Sequence, residues 1–183
     1  MNSMSIIKKS IITAMCVALC VVLPMAFHSI PNAGSIYLPM HIPVLICGLV
    51  CTAPFGVICG ILGPVISSLL TGMPSSAYLP AMIVECAVYG GVAGLMMSLI
   101  KTRKVYIDLY LSLIPAMLLG RIVAGLAKAL IFSRGKYTMT AWVTGSFITA
   151  LPGIIIQLAL IPSIVFALMK AGLIPSRYKG KKQ

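Results

Sequence analysis

Six apolar runs, separated by short stretches that hold most of the charge, dominate this sequence. A helix needs about 20 apolar residues to cross the hydrocarbon core of a bilayer, and 183 residues accommodate six such helices with short connections. Only 9% of the residues are charged, whereas an ordinary soluble domain has roughly 25%. Too little polar surface is available to cover a water-soluble globule. We therefore predict an all-α integral membrane protein with a single membrane-embedded domain over residues 1–183.

The apolar runs also predict where the spanning helices begin and end. The start of the chain, KKSIITAMCVALCVVL, has the basic end and apolar core of a signal peptide, but no small-x-small cleavage site follows it. We expect it to stay as the first spanning helix. The chain is expected to reverse between the second and third helices at TAPFG, in a turn that holds Pro54 and Gly56. The predicted helices are 11–27, 40–53, 55–70, 78–100, 107–132 and 141–169.

The basic residues are placed asymmetrically along this plan. The chain has 14 Lys and Arg against two acidic residues, a balance also found in nucleic-acid-binding proteins. Here the cations flank the apolar runs, and no aromatic residues interleave with them as a stacking platform would require. Ten cations fall on one side of the plan, Arg134 and Lys136 on the other, and Arg121 and Lys128 inside the fifth helix. The positive-inside rule then places both termini in the cytoplasm.

All six cysteines fall inside apolar runs, which argues against a disulfide framework. Small apolar packing residues are the better interpretation. Two pairs are spaced i, i+4, but no acidic residue and no tetrahedral ligand spacing accompanies them, so the sequence predicts no metal site and no cofactor. The cysteines are Cys16, Cys20, Cys47, Cys51, Cys59 and Cys86.

The first outer loop lies in the stretch LPMAFHSIPNAGSIYLPMHIPVL, residues 23–45, and is unusually polar for such an apolar chain. A loop that only reversed the chain could be much shorter. Pro31 and the following Asn32-Ala33-Gly34 predict a turn, and residues 35–38 predict an extended piece before Pro39. We expect this structured loop to fold over the outer mouth of the helix bundle as a lid.

Ionisable residues inside a bilayer are costly and point to function. Glu85 is expected about 10 Å, and Arg121 about 16 Å, from the outer ends of their helices at 1.5 Å per residue. Two interpretations stay open: the two residues neutralise each other as a buried pair, or they contact a ligand. Lys128 either snorkels to the outer headgroups or contacts the same ligand. Cations on the fifth helix favour a ligand with a carboxylate or a phosphate.

Five further polar side chains are placed near the expected mouth of the bundle. His41 begins the second helix and is expected to face inward, whereas His28 is expected to form hydrogen bonds with backbone groups of the loop. Tyr89, one helical turn beyond the glutamate, is the aromatic side chain best placed to meet a ligand. Gln157 needs a polar partner, which is either the ligand or a helix. Asn32 is either a turn residue or a ligand contact.

Small residues repeat every fourth position on the first helix, at Ser10, Ala14 and Ala18. This spacing permits close approach of another helix in lipid. Together with IYLPMHIPVLICGLV, PFGVICGILGPVISSLLTGMP and YLPAMIVECAVYGGVAGLM, it makes the chain resemble the S component of an energy-coupling factor (ECF) transporter. These segments cover roughly half of the chain, within a six-helix plan close to its whole length.

The resemblance implies a subunit that captures a water-soluble vitamin or cofactor precursor from outside. Pantothenate and α-ribazole-like compounds are the candidate ligands. Delivery would involve a transmembrane coupling (T) subunit and two cytoplasmic ATPases, with toppling of the S component in the membrane as the proposed route. Small residues of the first helix form the docking face in that family, so Ser10, Ala14 and Ala18 would take that role here. The chain has no Walker motif, consistent with ATP hydrolysis in a partner.

Two other functional classes stay open. An intramembrane enzyme could use His28, His41 and Glu85, but the sequence has no Ser-His-acid set, no paired carboxylates and no phosphate-cradling loop. A small oligomeric channel or exporter should expose a polar stripe along a full helix, and the sequence shows none. We therefore predict a binding subunit and not an enzyme.

Overall fold

The computed structural model describes residues 4–27, 29–132, 137–176 and 178, and these form helices joined by turns. Two π-helical turns accompany the α-helices: Lys128–Phe132 continues α6, and Thr144–Thr149 follows α7. The α-helices are α1 (Ile6–Ala26), α2 (Ala33–Tyr37), α3 (His41–Cys51), α4 (Ala53–Thr71), α5 (Leu79–Leu99), α6 (Val105–Ala127), α7 (Met139–Val143) and α8 (Leu151–Lys170).

Six segments of the described chain are long and apolar enough to cross a membrane. Helices α1, α4, α5 and α8 each supply one. The other two are Ala33–Cys51, which combines α2 with α3, and Val105–Ile131, which combines α6 with most of its π-helical turn. The predicted all-helical class and the predicted number and order of spans are therefore confirmed.

Glycine contacts hold the three central helices together. A Cβ atom added to Gly48 of α3 or to Gly56 of α4 would lie 2.3 Å from the carbonyl oxygen of Gly90 in α5. The three helix backbones therefore touch where no side chain intervenes, the close approach that small residues permit in membranes. Most residues of α3 are buried, as expected for a short helix inside the bundle.

The turn between α3 and α4 is shorter than the sequence suggested. Thr52 alone separates the two helices, with a φ of 100°, a backbone conformation that is strained for a β-branched residue. Pro54 and Gly56 lie inside the first turns of α4, so the prediction of a turn holding them is wrong. The fixed φ of proline suits the first turn of a helix, and Gly56 is needed for the contact with α5.

The first outer loop is helical where an extended piece was predicted. Residues 33–37 form the single-turn helix α2, in which the carbonyl of Asn32 accepts bonds from the amides of Ser35 and Ile36. Left-handed residues stand at both ends, Asn32 with a φ of 56° and Leu38 with a φ of 51°. Asn32 is thus at a turn, as predicted. The extended prediction for 35–38 is wrong because these left-handed ends let one helical turn close between the prolines.

The sixth predicted helix, 141–169, is interrupted. The π-helical turn Thr144–Thr149 and then Ala150 separate α7 from α8. Pro152 lies in the first turn of α8 and has no amide hydrogen to donate to the preceding turn. A break in the helix at this point follows from the missing donor.

The six cysteines are all free thiols and all buried, which confirms their assignment as packing residues. The Sγ atom of Cys47 lies 3.5 Å from Thr13 Oγ1 and 3.5 Å from the carbonyl oxygen of Phe55. These contacts link α1, α3 and α4. Among the described residues, no group of three or more metal-ligating side chains is suitably placed to hold an ion.

Candidate functional site

A cavity of about 790 Å³ lies under the first outer loop. We call residues 29–40 the lid. The rest of the wall comes from the end of α1, His41 at the start of α3, the N-terminal half of α5, the C-terminal end of α6, the turn at residues 73–75 and the segment 137–150. The volume lies within the range of about 300–1,000 Å³ typical of small-molecule sites.

The lid is fixed against α8. Gln157 Nε2 donates a hydrogen bond to the carbonyl oxygen of Leu38 over 3.4 Å. One turn earlier on α8, a Cβ atom on Gly153 would lie 2.7 Å from the carbonyl oxygen of Ile36, so the lid backbone rests directly on the helix. The rings of Phe27 and Tyr37 are 5.7 Å apart. These contacts preorganise the roof of the cavity, which reduces the entropy lost on binding.

One wall carries a network of three polar side chains from α3 and α5. Tyr89 Oη donates to Glu85 Oε1 over 3.0 Å, and His41 Nε2 lies 3.7 Å from the same oxygen. Neither ring nitrogen of His41 has a hydrogen-bond partner among the described residues. Tyr89 is fully buried, and its ring packs where a Cβ atom on Gly120 would lie only 2.0 Å from Cδ1. Glu85 and His41 therefore face the cavity, with Tyr89 behind them.

Arg121 of α6 also lines the cavity, on the helix that packs beside α5. Its side chain is only 3% exposed, and within the described part of the chain Nε and Nη2 have no hydrogen-bond partner. The guanidinium carbon lies 5.7 Å from the ring centroid of Phe147. Trp142 Nε1 donates to the backbone oxygen of Arg121 over 3.1 Å. These contacts fix the position of the helix and of the guanidinium group. Two nitrogens of the guanidinium group still have no acceptor among the described residues.

A direct ion pair between Glu85 and Arg121, one of the two interpretations of the sequence, does not form between these described residues. The carboxylate of Glu85 instead has Tyr89 and His41 as its neighbours. The i, i+4 spacing of Glu85 and Tyr89 places the hydroxyl within reach along one helix, whereas the arginine belongs to another helix. Nε and Nη2 of Arg121 therefore remain available to another hydrogen-bond acceptor.

Lys128 lies closer to the mouth, on the π-helical turn that follows α6, and is half-buried in the cavity wall. Its Nζ atom is 5.7 Å from the centroid of the Tyr137 ring. Burial raises the pKa of Tyr137, and a side-chain hydrogen bond with Ser146 opposes that effect. The Tyr137 hydroxyl therefore stays protonated at neutral pH and can donate a hydrogen bond.

The structure brings five of the seven predicted ligand residues to one cavity: Asn32, His41, Glu85, Arg121 and Lys128. Tyr89 and Gln157 do not line it. They are buried behind the wall, where Tyr89 holds Glu85 and Gln157 holds the lid.

Sequence reasoning missed several lining residues, because hydroxyls and aromatic rings at the membrane interface have an equally good explanation without a ligand. They are Ser75, Tyr78, Tyr137, Ser146 and Thr149. His28 lies outside the described residues.

The small residues of α1 lie away from the cavity, on the outer face of the bundle. Ser10, Ala14 and Ala18 are exposed, whereas Thr13 and Cys16 on the other face are buried. Large apolar side chains flank the small ones and are also exposed: Ile7, Ile11, Met15 and Leu19. Helix α1 is the least buried of the six candidate spans.

A protein-family model described as "ECF transporter, substrate-specific component" matches residues 8–165. This range contains the small residues of α1, the lid and every residue that lines the cavity. No curated protein and no solved structure gives a significant match.

Proposed function

This chain belongs to the family of ECF transporter substrate-specific components, and we propose that it captures a water-soluble vitamin or cofactor precursor from outside the cell. As a member of that family it is a multi-pass membrane protein and a substrate-binding transport subunit. Pantothenate and α-ribazole-like compounds are the candidate substrates. The family is one of transport subunits, which favours capture over intramembrane catalysis.

The cavity under the lid is the observation that carries this proposal. Polar side chains from the lid, α3, α5 and α6 meet there: Asn32, His41, Glu85, Arg121 and Lys128. A site that encloses a small ligand between a preformed roof and a few placed polar groups has the properties of a specific binding pocket. Tyr89 and Gln157 support it from behind by holding Glu85 and the lid.

The distribution of charge supports capture from outside the cell. The chain crosses the bundle an odd number of times between its first residues and the lid, so the cavity lies at the end opposite Lys8 and Lys9. Tyr178 donates to Asp108 at the start of α6, which brings the other terminus to the basic end. We propose that this basic end is cytoplasmic, that the cavity opens outward, and that the membrane is the bacterial plasma membrane.

Delivery would require partners, because the chain has no ATP-binding motif. We propose a transmembrane coupling subunit driven by two cytoplasmic ATPases, with Ser10, Ala14 and Ala18 at the docking face. Their exposure on α1 supports this role, since small residues allow a partner helix to approach closely.

Reconstituted uptake tests the proposal. Proteoliposomes that contain the chain with a coupling subunit and two ATPases are supplied with an aqueous extract of rich medium, and the compounds accumulated inside are identified by mass spectrometry. We expect accumulation of one compound, unmodified, only when the chain, all three partner subunits and ATP are present. Uptake by the chain alone would instead indicate a channel or exporter. Chemical conversion of the compound would indicate an enzyme.

A further inference from the structure

We propose that the captured molecule is a small organic anion whose carboxylate or phosphate is bound by Arg121. This inference rests on the proposed function, because it names the chemistry of the substrate held in the same cavity. It distinguishes between the two candidates: pantothenate carries a carboxylate, whereas α-ribazole is an uncharged nucleoside.

The first step is the state of Arg121 itself. The side chain is 3% exposed and lines the cavity, and its Nε and Nη2 atoms have no acceptor among the described residues. A buried cation is costly unless it is paired and hydrogen-bonded. The guanidinium group presents its donors in a planar fork that matches a carboxylate or a phosphate.

The second step is that the chain has no spare carboxylate for this arginine. The whole sequence contains two acidic residues, Glu85 and Asp108. Glu85 accepts from Tyr89 and lies next to His41. Asp108 stands at the start of α6, where it accepts bonds from Thr102 and Tyr178. Neither carboxylate accepts a hydrogen bond from Nε or Nη2 of Arg121, so an acidic group of the bound molecule can serve as the acceptor.

The third step is the arrangement of charge around the cavity. Arg121 and Lys128 both belong to α6 and its π-helical turn, seven residues apart, so two cations stand on one wall. Glu85, on the wall formed by α5, would repel an anion bound near it. Attraction by Arg121 and Lys128 and repulsion by Glu85 together favour a position of the acidic group against α6. Nδ1 of His41, which has no hydrogen-bond partner among the described residues, is left for the uncharged, hydrogen-bonding part of the molecule.

The structure supplies its own reporter for this contact. Trp142 is the single tryptophan of the chain, and its indole nitrogen bonds to the backbone oxygen of Arg121. Its ring packs against Phe147 with centroids 5.4 Å apart, and Phe147 in turn lies over the guanidinium group. An anion that binds Arg121 is therefore expected to change the emission of Trp142.

The experiment uses the full chain in detergent after exhaustive dialysis. An aqueous extract of rich medium is divided on an anion exchanger into a retained fraction and an unretained fraction. Trp142 emission and the melting temperature are measured with each fraction, with inorganic phosphate, and with an anionic phospholipid. The variants are Arg121→Gln, Arg121→Lys and, as a matched control, Arg103→Gln, whose side chain is exposed on the α5–α6 connection.

We expect the retained fraction alone to change both signals, equally in the parent chain and in Arg103→Gln. In Arg121→Gln the apparent affinity for the active compound of the retained fraction should fall at least about tenfold, the effect of losing one charge-assisted contact. The affinity of Arg121→Lys should lie between those of the parent chain and Arg121→Gln.

Three results would overturn the inference. A response to the unretained fraction only would be consistent with substrate capture but would exclude an anionic substrate. An equal response to phosphate or phospholipid would mean that the site does not select an organic anion. No response to either fraction would remove the proposed function as well.

Discussion

Tyr89 donates its hydroxyl hydrogen to Glu85 Oε1 over 3.0 Å, one helical turn away on α5. Glu85 is the only carboxylate that lines the described cavity, and its neighbours are this hydroxyl and His41, whose Nε2 lies 3.7 Å from the same oxygen. Because Glu85 does not accept a hydrogen bond from α6, Arg121 has two nitrogens without an acceptor in the described part of the chain.

Replacement of Arg121 by Gln should leave the stability of the ligand-free protein unchanged within about 1 kcal/mol, because Arg121 forms no ion pair among the described residues. A structural ion pair behaves differently, since breaking it costs about 3–5 kcal/mol. Thermal unfolding in detergent, with Arg103→Gln as the control, measures the difference. A loss of about 3 kcal/mol or more in Arg121→Gln alone would show that the arginine has a partner within the protein.

Replacement of Tyr89 by Phe should destabilise the protein by about 1–3 kcal/mol, because the ring is kept while Glu85 loses its hydrogen-bond donor. Tyr110→Phe is the matched control, since Tyr110 is 39% exposed on α6. Chemical unfolding in mixed micelles gives the two free energies. Equal values for both variants would mean that the Tyr89 hydroxyl contributes nothing to the network.

Replacement of Gly153 by Ala should loosen the lid, because the new Cβ atom would lie 2.7 Å from the carbonyl oxygen of Ile36. Hydrogen exchange of residues 33–38 reports this directly, since exchange measures local opening. Ser163→Ala serves as the control, because Ser163 is exposed on the same helix and does not line the cavity. We expect faster lid exchange and weaker ligand binding in the first variant only. Unchanged lid exchange in Gly153→Ala would contradict the contact between the lid and α8.

Replacement of Ala14 or Ala18 by Leu should abolish uptake and leave ligand binding intact, because both alanines are exposed on α1, away from the cavity. A bulky side chain would prevent close approach of a partner helix. Uptake and equilibrium binding are measured on the same preparations, with Ala159→Leu on the exposed face of α8 as the control. Parallel loss of binding, or equal loss of uptake in the control, would argue against a docking role.

The sequence predicts the number and order of the spans because length and hydropathy alone decide whether a segment crosses a bilayer. It also points to Glu85 and Arg121, since charged residues inside apolar runs are rare enough to be recognised individually. Five of the predicted ligand residues meet in one cavity, because polar residues of membrane-spanning helices face the bundle interior or a cavity.

The features that the sequence did not predict depend on contacts between distant segments. Thr52 reverses the chain where a longer turn was expected because Gly56 is drawn into contact with Gly90. Gln157 donates a hydrogen bond to the lid, because Leu38, far away in the chain, is brought next to it. Which partner satisfies a buried polar group is a property of the tertiary structure, and a hydropathy pattern does not contain it.

Substrate capture is tested most directly by mass spectrometry of the small molecules released from the protein after gentle purification in detergent from cells grown in rich medium. We predict one water-soluble compound in a nearly equimolar amount. Its loss in Arg121→Gln, and its retention in Arg103→Gln, would locate it in the cavity. Release of phospholipid and detergent alone would contradict the assignment of this cavity as a substrate-binding site.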